Sequence, residues 1–370
     1  MLKQLNLLVG TKKGAFILTS NTSRKKWSLK GPLLKGAEVN DMVLDTRGKP
    51  TIHAAVTSYW WGTNVHSSKN LGKSWEQADG VKFEQPAPVD GTGSAGDGQN
   101  NVKKVWCVVP GRKSEPDVLY AGVDPGALFK STDNGKSWSE VKSLTTHGTR
   151  EKWFPGAGGL MVHSIALHPT DTKKMYVGIS AAGMFATEDG GETWEPRNKN
   201  VRADFNPDKF PVVGQCVHHL EMHPDKPEVL YQQNHCGVYR TDIEGKDWMD
   251  ISGGLPSRFG FPIQIHPHDP DTVYVIPEEG AEFRSVVKGE FALYRSKDKG
   301  NNWKKLSKGL PKQAFLQVHR QSVTMDSQDT PGIYVGTSSG QIFYSRDEGK
   351  NWEVMIDYLP TIYSLSIAAA

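Results

Sequence analysis

SRDEGKNW, Ser345 to Trp352, is the last of a series of eight-residue boxes that each close on tryptophan. STDNGKSW (Ser131 to Trp138), TEDGGETW (Thr187 to Trp194) and SKDKGNNW (Ser296 to Trp303) repeat it closely. SKNLGKSW (Ser68 to Trp75) carries Asn70 at the aspartate position, and TDIEGKDW (Thr241 to Trp248) carries Ile243 there. SNTSRKKW (Ser20 to Trp27) keeps only the first and last residues. The tryptophans follow one another at steps of 48, 63, 56, 54, 55 and 49 residues. A period of about 50 residues marks a repeat architecture, and it outweighs any local propensity.

Around each box lie four short strand-like runs. In one repeat they are VHSIALH (Val162 to His168), MYVGIS (Met175 to Ser180), GMFATE (Gly183 to Glu188) and TWEPR (Thr193 to Arg197), separated by turn residues such as Pro169, Asp171 and Gly190. The next repeat reads VHHLEMH, VLYQQN, GVYRT and DWMDI. Four antiparallel strands per radially repeated unit predict a β-propeller, an all-β fold. The N-terminus supplies three strands and the C-terminus one, IYSLSIA (Ile362 to Ala368). Residues 1–30 plus 361–370 are therefore expected to form one composite blade, which closes a seven-bladed ring in a single domain and hides two sheet edges.

The bulk numbers fit. Of 370 residues, 37% are hydrophobic and 23% charged, and Gly and Pro number 38 and 22, which suits a turn-rich β protein. A net charge of +3, with the cations scattered, gives no basic stripe, so no nucleic-acid partner is expected. Three cysteines, Cys107, Cys216 and Cys236, are too few for a disulfide framework. No apolar run approaches a membrane span, and the N-terminal run is too short for a signal peptide, so a cytoplasmic protein with no membrane partner is the expectation.

Within a box, Ser or Thr, Asp and Gly make a tight turn between the third and fourth strands, and the Trp packs between blades. The pairs His168-Pro169, His223-Pro224 and His266-Pro267 recur at the first turn of each unit, on the same face as the boxes. Both features are expected to be structural and to mark the bottom of the ring.

The pattern S/T-x-D-x-G-x-x-W resembles the Asp-box, or BNR, repeat, and it covers almost the whole chain. That repeat occurs in sialidases, in seven-bladed xyloglucanase-type glycosidases, in sortilin-type receptors and in a photosystem assembly factor. The resemblance implies a sialidase-like, glycosyl-hydrolase-like propeller, and the fold hosts both enzymes and binders. Sialidase activity itself is not expected. That family has six blades and an N-terminal Phe-Arg-Ile-Pro motif, whereas the nearest echo here, Arg258-Phe259-Gly260-Phe261-Pro262-Ile263, is scrambled and lies far along the chain.

Function is expected on the top face, opposite the boxes, where the loops between blades gather. Long ones span Gly80 to Val102, Val141 to Met161 and Asn198 to Cys216, and one within a blade spans Pro277 to Gly289. Counting back six residues from the proline position aligns Lys104, His163, His218 and Phe261, with Asn40, Gln321 and Tyr363 in the remaining blades. Such a ring would line the channel near its top.

A register pairing His218 with His235 would bring both near His163, as a three-nitrogen site for a divalent metal ion, with His219 as substitute. His163, His218, Asp124, Glu278 and Glu279 are the candidate catalytic groups. Two carboxylates from among Asp124, Asp204, Glu278, Glu279 and Glu282 would act in a hydrolytic mechanism, the sequence leaving the pair open, and the histidines in a metal-assisted hydrolase or lyase. Trp60, Trp61 and Trp153 are candidates to stack on a sugar. Lys104, Arg150, Arg202, Arg258, Arg284 and Arg320, with Gln321 and Tyr363, are candidates to hold a small polar or sugar-like substrate. The competing expectation is a non-catalytic scaffold with a flat apolar top that docks a protein.

Overall fold

The computed structural model describes residues 4–86, 89–92 and 102–369, which form seven four-stranded antiparallel sheets arranged as a propeller. Six blades are consecutive in sequence. Blade one runs from Glu38 to Gln77, blade two from Lys104 to Glu140 and blade three from Val162 to Pro196. Blade four runs from Val217 to Asp250, blade five from Gly260 to Leu306 and blade six from Glu353–Ile356 back to Val323–Met325. The seventh is composite: Ile362–Ala369 lies innermost and pairs with Leu5–Thr11, followed outward by Gly14–Ser20 and Ser28–Leu33. The ring is thus closed by the C-terminal strand, as the repeat count required.

The middle strands are largely buried and mostly apolar. Leu5–Thr11, Met175–Ile179 and Ile333–Gly336 are buried on both faces, and each pairs of sheets shares one apolar layer. The outermost strands are two to six residues long and exposed, which blunts the outer edges.

The boxes are turn locks. Asp133 accepts the backbone N–H groups of Lys136 (3.0 Å) and Ser137 (2.9 Å), while Ser131 Oγ takes the Gly135 N–H (2.9 Å). These donors favour the charged carboxylate and bring Asp133 down to about 2, against its partial desolvation. Gly135 sits at φ 81°, in the left-handed region that glycine enters without cost. Asn70 reproduces the acceptor role toward Ser74 N–H (2.9 Å), whereas Ile243 offers no side-chain acceptor and its turn is held by the Thr241 hydroxyl and the Lys246 N–H to Ile243 O bond (3.2 Å). Trp138, Trp194, Trp248 and Trp352 are buried beside the neighbouring blade. The His-Pro turns are equally local: His168 Nδ1 accepts the Asp171 N–H (3.0 Å) and His223 Nδ1 the Asp225 N–H (3.2 Å).

Candidate functional site at the channel mouth

Six of the seven innermost strands, all but that of blade six, carry an irregularity at one height. The pairing registers shift at Asn40, Trp106, His163, His218, Phe261-Pro262 and Tyr363, so each of these residues is an extra one that bulges from its ladder. A bulge re-aims a side chain, here toward the channel and the next blade. Of the seven positions aligned from the His-Pro spacing, Asn40, His163, His218, Phe261 and Tyr363 are bulged, whereas Gln321 precedes the blade-six strand and Lys104 is displaced. In blade two the bulged residue is Trp106, not Lys104, whose ammonium instead pairs with Glu38 (3.1 Å) and lies near the Trp106 and Tyr363 rings.

Part of this ring stitches blades together. Asn40 Nδ2 donates to Val105 O (3.1 Å), His163 bonds through Nε2 to Val217 O (2.8 Å), and His218 through Nδ1 to Gly260 O (2.6 Å). The next polar residues on these strands return the favour: Asp41 accepts Val108 N–H, Ser164 accepts Leu220 N–H and Glu221 accepts Ile265 N–H. Gln321 donates to His163 O across the channel (2.8 Å). Polar residues at these positions thus satisfy the backbone groups that the bulges release.

Two chambers result. The lower, of about 530 Å³, is lined by Asp41, Cys107, His163, His219, Glu221 and Gln321 among others. The upper, of about 760 Å³, opens at the top and contains Cys216, His218, His235, Phe259, Phe261, Arg284 and Arg320. Its walls are the long loops: residues 152–158, 205–214 and 281–284.

His163 and His218 therefore part company. His163 is buried with both ring nitrogens engaged, Nδ1 by Ser164 Oγ (2.9 Å) and Nε2 by Val217 O, so it has no lone pair for a metal. His219 faces the lower chamber and approaches Glu221 at 3.4 Å. In the upper chamber the ligand atoms of Cys216, His218 and His235 all lie within 4.8 Å of one another. The expected register between His218 and His235 does not occur. His235 instead donates its backbone N–H to Cys216 O (2.9 Å), and the bulge carries the His218 ring back over, 5.6 Å from that of His235. Burial holds His218 well below, and His235 below, the ordinary histidine range, with nearby arginine charge adding to the effect. Both are neutral at pH 7.

Above this group sit two guanidinium groups. Arg320 lies over Phe261 (4.9 Å) and Trp106 (5.8 Å) and makes no hydrogen bond or ion pair among the described residues. Desolvation, with the positive charge of Arg284 adding to it, brings it down to about 10. Arg284 uses only Nε, on Ala281 O (3.0 Å), which leaves its terminal nitrogens free of protein acceptors among the described residues.

The other expected residues fall elsewhere. Trp153 is fully buried against Phe185 and His147, and Arg150 is buried on Gly126 O and stacked on Trp153, so both pack their own loop. Arg202 pairs with Asp204 and Arg258 with Asp250. Glu279 accepts the Lys288 N–H and Glu278 the Val318 N–H; neither carboxylate lines the upper chamber, nor does Asp124. Burial raises Glu278 to about 8 and Asp124 to about 6. Trp60 and Trp61 are exposed at the tip of a blade-one hairpin, and Tyr363 lies against His319. The residue that sequence reasoning left out of the metal set is Cys216. Its signal was present, since it flanks the His218 strand at the end of a long loop.

Every exposed aromatic side chain among the described residues stands on a top-face loop: Tyr59, Trp60, Trp61, Phe154, Phe205, Phe210, Phe283, Phe315 and Tyr358. The exposed large apolar residues of the boxes and outer strands, such as Leu29, Leu71, Ile243 and Val354, are aliphatic.

A family model described as the DUF6242 beta propeller domain matches residues 113–346, more than half of the chain. The chain belongs to that family. Among curated relatives, the xyloglucanase Xgh74A of Acetivibrio thermocellus is 24% identical over 291 residues, covering 69% of this chain and 32% of the relative. The chain thus spans about a third of the length of the xyloglucanase it matches. Among solved structures, an ancestral GH74 enzyme superposes with a TM-score of 0.56 at 17% identity, over 88% of this chain and 39% of that one. YCF48 bound to D1 peptide superposes with a TM-score of 0.52 at 14% identity, over 86% and 82% of the two chains. These structural likenesses bear on the fold alone.

Proposed function

We propose that this propeller is a carbohydrate-active protein whose substrate is a small acidic sugar or sugar-like anion, taken up in the chamber at the channel mouth. The observation that carries this reading is the pair Arg284 and Arg320, two guanidinium groups without a carboxylate partner among the described residues, in a chamber walled by Phe154, Phe205, Phe259 and Phe261. Phenylalanine faces suit a sugar ring, and free guanidinium forks suit a carboxylate or phosphate. A buried cation without a partner is costly, and an anionic ligand removes that cost. The similarity to xyloglucanases agrees with a sugar ligand. Asp124, Glu278 and Glu279 lie outside the lining of this chamber, which does include Glu282 and Asp208; we assign the chemistry to Cys216, His218 and His235 because their ligand atoms converge within 4.8 Å of one another.

Calorimetric titration with a uronic acid, a sugar phosphate and a neutral xyloglucan oligosaccharide tests the reading. The anions should bind, and Arg320→Ala or Arg284→Ala should weaken them about 10- to 100-fold, the worth of a charge-assisted hydrogen bond. Equal binding of the neutral oligosaccharide, or indifference to both arginine variants, would sink it.

The exposed top-face aromatics favour a second reading, a non-catalytic scaffold that docks a protein. It predicts that Trp60→Ser with Trp61→Ser abolishes capture of a partner while leaving anion binding intact.

A further inference from the structure

We propose that Cys216, His218 and His235 form a three-ligand site for a zinc-class transition-metal ion, with its open coordination position facing Arg284 and Arg320. The three ligand atoms already lie within 4.8 Å of one another. Around zinc, sulfur and nitrogen ligands stand roughly 3.3–3.8 Å apart, so side-chain rotation closes the remaining gap.

The surroundings prepare each ligand. His218 donates Nδ1–H to Gly260 O at 2.6 Å, which fixes the tautomer and leaves the Nε2 lone pair for a metal. A backbone carbonyl on the far nitrogen is the usual partner of a metal-bound imidazole. The His235 side chain makes no hydrogen bond among the described residues and is positioned by ring contacts with Phe205 (5.2 Å) and Phe259 (5.1 Å). Cys216 is tied to the same hairpin through the His235 N–H, and among the described residues its sulfur has one hydrogen-bond contact, with the Ser180 hydroxyl at 3.6 Å.

The bland alternative is two histidines packed among phenylalanines. That accounts for the rings, but not for a thiol and two imidazole nitrogens converging with the Ser180 hydroxyl as the one protein donor in reach of them among the described residues. One thiolate and two neutral imidazoles select zinc, cobalt or copper over calcium or magnesium. A thiolate on a dication leaves one net positive charge beside two guanidinium groups, so the open position is suited to an anion. This last step rests on the function proposed above; the metal site does not.

Cobalt(II) is the direct probe. Metal-free protein, prepared by chelation and dialysis, should take up one equivalent. It should develop a near-ultraviolet thiolate-to-cobalt charge-transfer band with the visible bands of a four-coordinate ion, and zinc should displace them. Cys216→Ser should remove the charge-transfer band, and His218→Ala and His235→Ala should each weaken uptake at least 10-fold. His163→Ala should leave the spectrum and stoichiometry unchanged. Thermal melts of the metal-free variants check folding, and a variant that fails them is replaced by His→Gln or Cys→Ala at the same position. Absence of the near-ultraviolet band at saturating cobalt, or its survival in Cys216→Ser, would overturn the proposal. Acidic-sugar binding measured on metal-free protein separates the two readings, since either result can fail while the other stands.

Discussion

Glu278 shows how much one buried carboxyl can reveal about its surroundings. It is fully buried, one oxygen accepts the Val318 N–H, and the other has no partner among the described residues. Desolvation outweighs the attraction of Arg284 and Arg320, so the group sits at about 8 rather than at its usual 4.5. The folded state then holds a proton that the unfolded state gives up above 4.5. Stability from this group is therefore present below about pH 4.5 and is lost as pH rises toward 8. Replacing it with glutamine removes the titration and keeps the acceptor. The wild type should lose stability relative to Glu278→Gln across that window, by on the order of 3 kcal/mol in total. Denaturant melts of both proteins from pH 5 to pH 8 check this; parallel curves would show that Glu278 is charged in the fold. The sequence alone offers this residue as one of several candidate catalytic carboxylates. Its place, one strand end away from the chamber, is invisible until the neighbouring loop, which brings Val318 over it, is folded.

At the scale of the element, the inner strand is where sequence legibility was best and also most misleading. The His-Pro landmark located the bulged position in blades three, four and five, because those blades keep one turn length between landmark and bulge. It missed blade two, which has no His-Pro pair: Pro110 lies within the strand Lys104–Pro110 itself, so counting from it lands two residues before Trp106, which holds the position. The polarity of the ring was legible, but its reason was not: Asn40 and His163 are polar in order to bond the next blade. His163→Ala should therefore behave as a loss of structure. It strands the Val217 carbonyl and leaves a cavity, at about 2 kcal/mol, and it should leave the ligand affinity of the upper chamber within twofold. A denaturant midpoint that does not move, or a large loss of ligand binding, would contradict the assignment of His163 to the stitch.

The outer turns allow the converse test. Ile243 occupies the one box whose central turn position lacks a polar side chain while Ser/Thr, Gly and Trp are retained, and it is exposed. Ile243→Asp supplies the acceptor that Asp133 provides in blade two, toward the backbone N–H groups that follow it. A gain of about 0.5–1 kcal/mol is expected, the usual worth of such a turn acceptor, which for a chain of this size raises the melting midpoint by about 1–2 °C. A lower midpoint would mean that the Ile243 side chain packs where the structure shows it exposed.

For the whole molecule, the near-sevenfold repeat and the single site answer to different parts of the sequence. The boxes recur because each blade needs the same turn, and a recurrent signal is easily read. The chamber is unique: it takes Cys216 and His218 from one blade's inner strand and its approach, His235 from that blade's hairpin, and Arg284 and Arg320 from loops of blades five and six. No sequence period connects them, and only closure of the ring brings them to one mouth. Closure itself depends on eight residues. Ile362–Ala369 pairs along the whole of Leu5–Thr11, and on its other side Leu365 N–H bonds Gln321 O (2.8 Å), next to Arg320. Without that strand Leu5–Thr11, buried along its whole length, becomes an open edge, which is a template for intermolecular pairing. Truncation after Asp357 should therefore do two things in step. Unfolding should change from one transition to a broader one with a lower midpoint, and ligand affinity at the mouth should fall because Arg320 loses the strand that positions its neighbour. Adding back a synthetic peptide of residues 358–370 should restore both. A truncated protein that melts as sharply as the full chain and keeps its affinity would show that the six sequential blades hold the ring, and the mouth, without the closing strand.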